Sequence, residues 1–269
     1  MTYTQEFAEF IGAVPGREVA LPWGRARVWD LGDGPAIVLL HGIAGGRNVF
    51  FRVAPLLATN RRVIIPPLRG EDRPCSPMRV EELLDDLAAL LAALDLRDVT
   101  LVGFSFGGFL TLAYGGRNDP RVTRVVTQGA FAHYRLRITD RVALALAAAA
   151  PQALGAWYFR RRVLRGRETR VVAEHAPGLE ILNAQWAGRI PIPTLASRTR
   201  IIGGVDLTEP VRSIEAPLTI AHGRLDGVVP FSSFERLQRL RPDARAVAWD
   251  GVSHMASLTH PELVAGLVS

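Results

Sequence analysis

The chain reads as an α/β protein built on a mostly parallel central sheet flanked by helices, with a helical cap inserted late in the sequence. Three observations predict this. Short apolar runs of strand length alternate with helically spaced segments over residues 35–127, and again over 213–269. The runs are apolar at consecutive positions, as strands covered on both faces require. Between about 133 and 212 the alternation stops, and the chain turns Ala-, Leu- and Arg-rich without a strand pattern.

The elements come in order along the chain. Residues 17–31 alternate weakly (Val19, Leu21, Trp23, Arg25, Arg27, Trp29) around a Pro22-Trp23-Gly24 turn, which predicts an antiparallel hairpin. Pro35–Leu40 and Arg62–Ile65 are buried-strand runs. From Val80 to Leu96, leucines at 83, 84, 87, 90, 91 and 94 recur at three to four residues and predict an amphipathic helix. Val99–Val102 and Arg121–Thr127 are the next strands. Within the insertion, Val142–Tyr158 is almost wholly apolar but interrupted by Pro151. It is too short and too broken for a membrane span, and is expected to line a cavity or pack on the sheet. Pro191, Pro193 and Pro210 divide the later part of the insertion into short pieces. Alternation then resumes with a strand at Pro217–Ala221, a helix at Phe231–Leu240, a strand at Ala244–Trp249 and a helix at His260–Val268. The expected organisation is therefore a core from 1–132 and 213–269, split by a cap from 133–212.

A chain of 269 residues with 48% hydrophobic and 22% charged residues suits one large globular domain, or one domain carrying an insertion. The net charge of +6 comes with 32 basic residues, every one an arginine. So uniform a preference reads as compositional bias, and no helix-turn-helix, zinc-finger or RNA-binding motif supports a nucleic-acid partner. The one local cluster is Arg160, Arg161, Arg162, Arg165, Arg167 and Arg170. It is either a solvated face or a dock for an anionic or carrier-linked substrate. The single Cys75 excludes an internal disulfide and cannot build a zinc site, and no metal is expected. The first residues lack a basic stretch followed by an apolar one, so a cytoplasmic location is expected.

Chemistry concentrates at Gly103-Phe104-Ser105-Phe106-Gly107-Gly108, directly after the Val99–Val102 strand and before a helix-compatible stretch. Strand, G-x-S-x-G and helix in succession make a nucleophile elbow, in which a sharp turn projects the Ser105 hydroxyl from the sheet edge. A serine hydroxyl needs a base, and the base an orienting acid. Of six histidines, His254 lies just past the last strand in Asp250-Gly251-Val252-Ser253-His254. Asp226 comes after the preceding strand and is preferred over Asp206, which precedes a strand, and over Asp250, which is too near His254. Two backbone donors are expected to face the reacting carbonyl: the N–H of Phe106, and that of Ile43 in the loop His41-Gly42-Ile43-Ala44-Gly45-Gly46.

With these residues in place the chain resembles the α/β-hydrolase superfamily, and within it the helical-cap serine esterases and carbon–carbon bond hydrolases. The resemblance runs from about residue 17 to the C-terminus and rests on His41-Gly42, Gly103–Gly108, Gly223…Asp226…Pro230 and Gly251…His254, all in family order. One departure is Pro67, in Pro66-Pro67-Leu68-Arg69-Gly70-Glu71-Asp72-Arg73, where many relatives carry an aspartate. Dehalogenases and epoxide hydrolases of this fold use an aspartate nucleophile, and Ser105 sets them aside. The resemblance implies a cofactor-free hydrolase, monomeric or homodimeric, that cleaves a small-molecule ester through an acyl-enzyme on Ser105. A thioester, a lactone or a carbon–carbon bond is the alternative target, and a non-catalytic ligand-binding protein the third possibility. Substrate contacts are expected from Phe104, His133, Tyr134, Trp157, Trp186, His222 and Met255.

Overall fold

The computed structural model describes residues 2–268, except 72, 76, 137–156, 158–165 and 188. The apolar runs form strands and pair edge to edge. The strands are β1 (Gly16–Leu21), β2 (Gly24–Leu31), β3 (Ala36–Leu40), β4 (Arg62–Ile65), β5 (Val99–Phe104), β6 (Val122–Gln128), β7 (Leu218–Gly223) and β8 (Arg245–Trp249). They make one eight-stranded sheet in the order β1-β2-β4-β3-β5-β6-β7-β8. The β1–β2 and β2–β4 pairs are antiparallel, and every pair from β4 to β8 is parallel. The two-residue link Pro22-Trp23 closes the first hairpin. All five residues of β3 and all six of β7 are buried, which is why their sequences lack polar alternation.

Helices cover both faces: α1 (Tyr3–Ala13), α2 (Val53–Leu57), α3 (Val80–Ala93) and α4 (Phe106–Gly115) come before the insertion. Between β6 and β7 the described residues hold four helices and no strand: α5 (Arg167–His175), α6 (Leu179–Ala187), α7 (Ile192–Gly204) and α8 (Thr208–Ser213). The apolar run 142–158 lies outside the described residues except for Trp157. Beyond β7 come α9 (Phe231–Leu240), α10 (Ala256–Thr259) and α11 (Pro261–Ala265). Two clusters of buried side chains sandwich the sheet, one centred on α3 and α4, the other on α2, α6 and the C-terminus.

Three regions differ from the sequence expectation. The helix expected at His260–Val268 is the shorter α11, preceded by a separate α10, because Pro261 occupies the first turn of α11, supplies no N–H and biases His260 away from helix. Helix α1 is absent from the sequence expectation, although Tyr3, Phe7 and Phe10 fall at helical spacing and pack, partly buried, against the core. Its signal is the capping box Thr2…Gln5, in which each side chain satisfies the other's backbone N–H. A 3₁₀ turn at Arg47–Phe50 and α2 fill the β3–β4 connection, where no helix was expected.

Candidate active site

The parallel strands end on one side of the sheet, and the chemistry gathers there, as open α/β sheets dictate. Ser105 is the corner between β5 and α4, at φ 54° and ψ −113°, a region that costs an L-residue free energy. The corner survives because its surroundings over-determine it. The Ser105 N–H donates to Gln128 O at 2.9 Å and the Ser105 carbonyl accepts from Phe109 N at 2.9 Å. A Cβ on Gly107 would strike the Leu40 carbonyl oxygen, so only glycine lets α4 start this close to β3.

The loop after β3 lies against this corner: a Cβ built on Gly42 would sit 3.5 Å from Ser105 Cβ and 3.9 Å from Ser105 Oγ. The Phe106 N–H opens α4 and has no intrahelical acceptor, so it is free to face a ligand at the positive end of that helix.

His254 comes after β8, and its Nδ1 lies 2.7 Å from Asp226 Oδ2. The other oxygen, Asp226 Oδ1, accepts the N–H groups of Val228 and Val229, each at 2.8 Å. Burial alone would raise the Asp226 carboxyl, but His254, His222 and the Val229 N–H outweigh it and leave it below the usual range. Burial would likewise lower the proton affinity of His254, but Asp226 and then Glu168 overcome it, so the net shift is upward. Gly129, at φ 59°, lies beneath the pair: a Cβ there would come within 3.1 Å of His254 Nδ1 and 3.3 Å of Asp226 Oδ2. Gln128 Nε2 donates to the His254 carbonyl at 3.3 Å, tying this residue to β6.

Ser105 and His254 open into one cavity of about 450 Å³, within the range of small-molecule sites. Ile43, Val49, Phe104, Tyr134 and Met255 give it an apolar wall. Of the expected substrate contacts, Phe104, Tyr134 and Met255 therefore line it. The other four do not. Trp186 is buried against Phe7 and Phe51, with ring centroids 4.8 and 5.8 Å away. His222 is fully buried behind Asp226, its Nε2 donating to Val229 O at 3.1 Å, and burial lowers its proton affinity. His133 lies 3.8 Å from Asp206 at the edge of the insertion, and Trp157 is 48% exposed. Asp206, the competing acid, serves Thr208 instead. Arg160, Arg161, Arg162 and Arg165 lie outside the described residues, and Arg170 is exposed. Among the described residues no cluster of His, Cys, Asp or Glu would hold a metal, and no helix is long and apolar enough to cross a membrane.

Two residues near the site escape motif reading. Arg198, on α7, is fully buried. Its guanidinium donates to the carbonyl of Ile43 at 2.8 Å and of Arg69 at 3.1 Å, and stands 5.8 Å from the Phe106 ring. Burial brings it down to about 10, against the pull of Glu71, and it remains a cation at neutral pH. Glu71 accepts from His41 Nε2 at 2.8 Å and from the N–H groups of Leu68 and Arg47 at 3.2 and 3.3 Å. Burial opposes its ionisation, but His41, Arg47 and Arg198 hold it at about 2. With Pro67 in place of an acid, Glu71 is the carboxylate that braces this loop. A lone Arg or Glu carries no sequence signal; only the tertiary fold brings them behind residues 41–46.

A family model described as the alpha/beta hydrolase fold matches residues 35–173. The chain belongs to that family. It is 27% identical to the 2-hydroxymuconate semialdehyde hydrolase of Pseudomonas sp. strain CF600, over 94% of this chain and 92% of that protein. It is 28% identical to the pimeloyl-[acyl-carrier protein] methyl ester esterase of Aeromonas hydrophila, over 86% of this chain and 92% of that protein. Among solved structures, the enol-lactonase of Burkholderia xenovorans LB400 superposes with a TM-score of 0.84 at 21% identity, covering 94% of this chain and 98% of that one, a likeness of fold.

Proposed function

We propose that the chain is a serine hydrolase of carboxylic esters, acting on a small to medium, largely apolar substrate through an acyl-enzyme on Ser105. The observation that carries this reading is the Asp226–His254 contact of 2.7 Å beside a strained Ser105 corner, with Ser105 and His254 opening into the same apolar-walled cavity. Ser105 Oγ attacks the ester carbonyl carbon while His254 Nε2 takes its proton. Asp226 holds the Nδ1–H tautomer and stabilises the imidazolium. The carbonyl electrons move to oxygen, where the N–H groups of Phe106 and Ile43 receive the negative charge, each such donor being worth about 10²–10³ in turnover. Collapse breaks the bond to the leaving oxygen, which takes the proton from His254. Water then repeats the sequence on the acyl group and frees Ser105. The esterase relative from Aeromonas hydrophila supports the choice of bond.

The test is stopped-flow release of p-nitrophenol from p-nitrophenyl butyrate. A burst of about one equivalent followed by a slower steady state is expected, and Ser105→Ala should show neither. Undiminished turnover in that variant overturns the reading.

A second reading keeps the same residues and changes the bond to a carbon–carbon bond beside a carbonyl. The relative from Pseudomonas sp. strain CF600 favours it. A panel holding an ester, a thioester, a lactone and a vinylogous 1,5-diketone separates the two by kcat/KM.

A further inference from the structure

Glu168 stands in the first turn of α5, 59 residues before Gly227 and 87 before Met255. Its Oε2 accepts the N–H of Gly227 at 3.3 Å, and its Oε1 accepts the N–H of Met255 at 3.1 Å. Gly227 is the residue after Asp226, and Met255 the residue after His254. One carboxylate thus holds the backbone just beyond the acid and just beyond the base, from an element outside both loops. Glu168 also lines the cavity shared by Ser105 and His254. Among the described lining residues it is the one carboxylate, and no arginine accompanies it.

We propose that Glu168 is a positioning and specificity-determining residue, which locks the acid and base loops together and makes the cavity prefer neutral or cationic esters over anionic ones. The inference rests on reading His254 as the base. It also opposes, at the cavity wall, the expectation that an anionic substrate is drawn to the arginine-rich segment. A fixed negative charge in a partly closed cavity repels a substrate carboxylate far more than it would in bulk water. The same charge favours the imidazolium. The groups facing His254 are Asp226 on the β7–α9 loop, Glu168 on α5, and His222 on β7, whose Nε2 reaches the same Asp226 oxygen at 3.5 Å. Removing the Glu168 charge while keeping the Asp226 contact should therefore lower the proton affinity of His254.

Glu168→Gln keeps the shape and one acceptor oxygen and removes the charge. Two measurements are made on it. The first is the ratio of kcat/KM for a p-nitrophenyl hemiester of glutaric acid to that for p-nitrophenyl butyrate. This ratio should rise by about threefold or more, chiefly through KM for the anionic ester. The second is NMR titration of the His254 ring, assigned with His254→Ala, whose midpoint should fall by about half a pH unit or more. An unchanged ratio and an unchanged midpoint, with kcat lowered equally for both esters, would leave Glu168 a plain structural brace and overturn the proposal. If the wild type turns over neither ester, the esterase reading fails by itself, and the titration still decides whether Glu168 acts on His254. Should Glu168→Ala fold poorly, Glu168→Gln and Glu168→Asp, which restores the charge, keep the test intact.

Discussion

Ser105 holds a positive backbone φ that no neighbouring residue in β5 or α4 shares, and in the proposed reaction its hydroxyl depends on His254 and Asp226. Two predictions belong to this scale. Asp226→Asn keeps the shape of the acid but cannot hold the same tautomer, so kcat should fall by about 10²–10⁴ with KM little changed. Arg198→Met removes the guanidinium that holds the Ile43 carbonyl. Affinity for a boronic acid that mimics the tetrahedral intermediate should then fall by about tenfold or more, while KM for a neutral ester changes less. Equal losses in both would assign Arg198 to folding alone. The candidate triad was legible in sequence because each member comes after a strand within a short Gly-marked motif. The contacts of Trp186, His222, His133 and Trp157 were not, since an aromatic or imidazole in sequence does not declare which side of a wall it faces. Arg198, Glu71 and Glu168 were silent for a related reason. Apart from the Leu68 N–H on Glu71, the partners named for them lie between 24 and 155 residues away, and no local pattern encodes such pairs.

At the scale of elements, strands were legible where burial on both faces made them continuously apolar, as in β3 and β7. Helices were legible where one apolar stripe met the sheet, as in α3, whose leucines 83, 84, 87, 90 and 91 are all buried. Helix α1 lies on the surface and sets only a partly buried stripe, Tyr3, Phe7 and Phe10, against the core. It is fixed by its capping box and by the contact of Phe7 with Phe51 on the core and Trp186 on α6. Phe7→Ala should therefore loosen α6 more than the sheet. Hydrogen exchange of α6 amides should quicken while that of β5 and β6 stays slow; uniform quickening would contradict a local tie. The start of α4 is less forgiving. Gly107→Ala drives a methyl into the Leu40 carbonyl, and the midpoint of thermal unfolding should drop by several degrees, with the loss of activity exceeding the loss of folded protein.

For the molecule as a whole, the buried carboxylate of Glu71 links stability to pH. Its folded value of about 2 lies below its ordinary 4.5. The unfolded chain thus binds that proton more readily, and the stabilisation is present above 4.5 and is lost as pH falls toward 2. It is on the order of 3 kcal/mol. Denaturant titrations should find the gap between wild type and Glu71→Gln large at about pH 7 and narrower at about pH 3; a gap that stays constant would contradict this assignment. The family membership and the mostly parallel sheet were readable from the motifs and apolar runs along the chain; the order of the strands in the sheet came only with the structure. What the cavity accepts was not readable, because its walls draw on loops after five strands and on the insertion, and those meet only in three dimensions.

The central claim is that Ser105 is the nucleophile. Intact-mass spectrometry after exposure to a fluorophosphonate tests it most directly. One adduct per chain is expected, mapping to the peptide that contains Ser105, absent from Ser105→Ala and slowed by more than about tenfold in His254→Ala. No adduct on the wild type, or an adduct that persists in Ser105→Ala, would contradict the account.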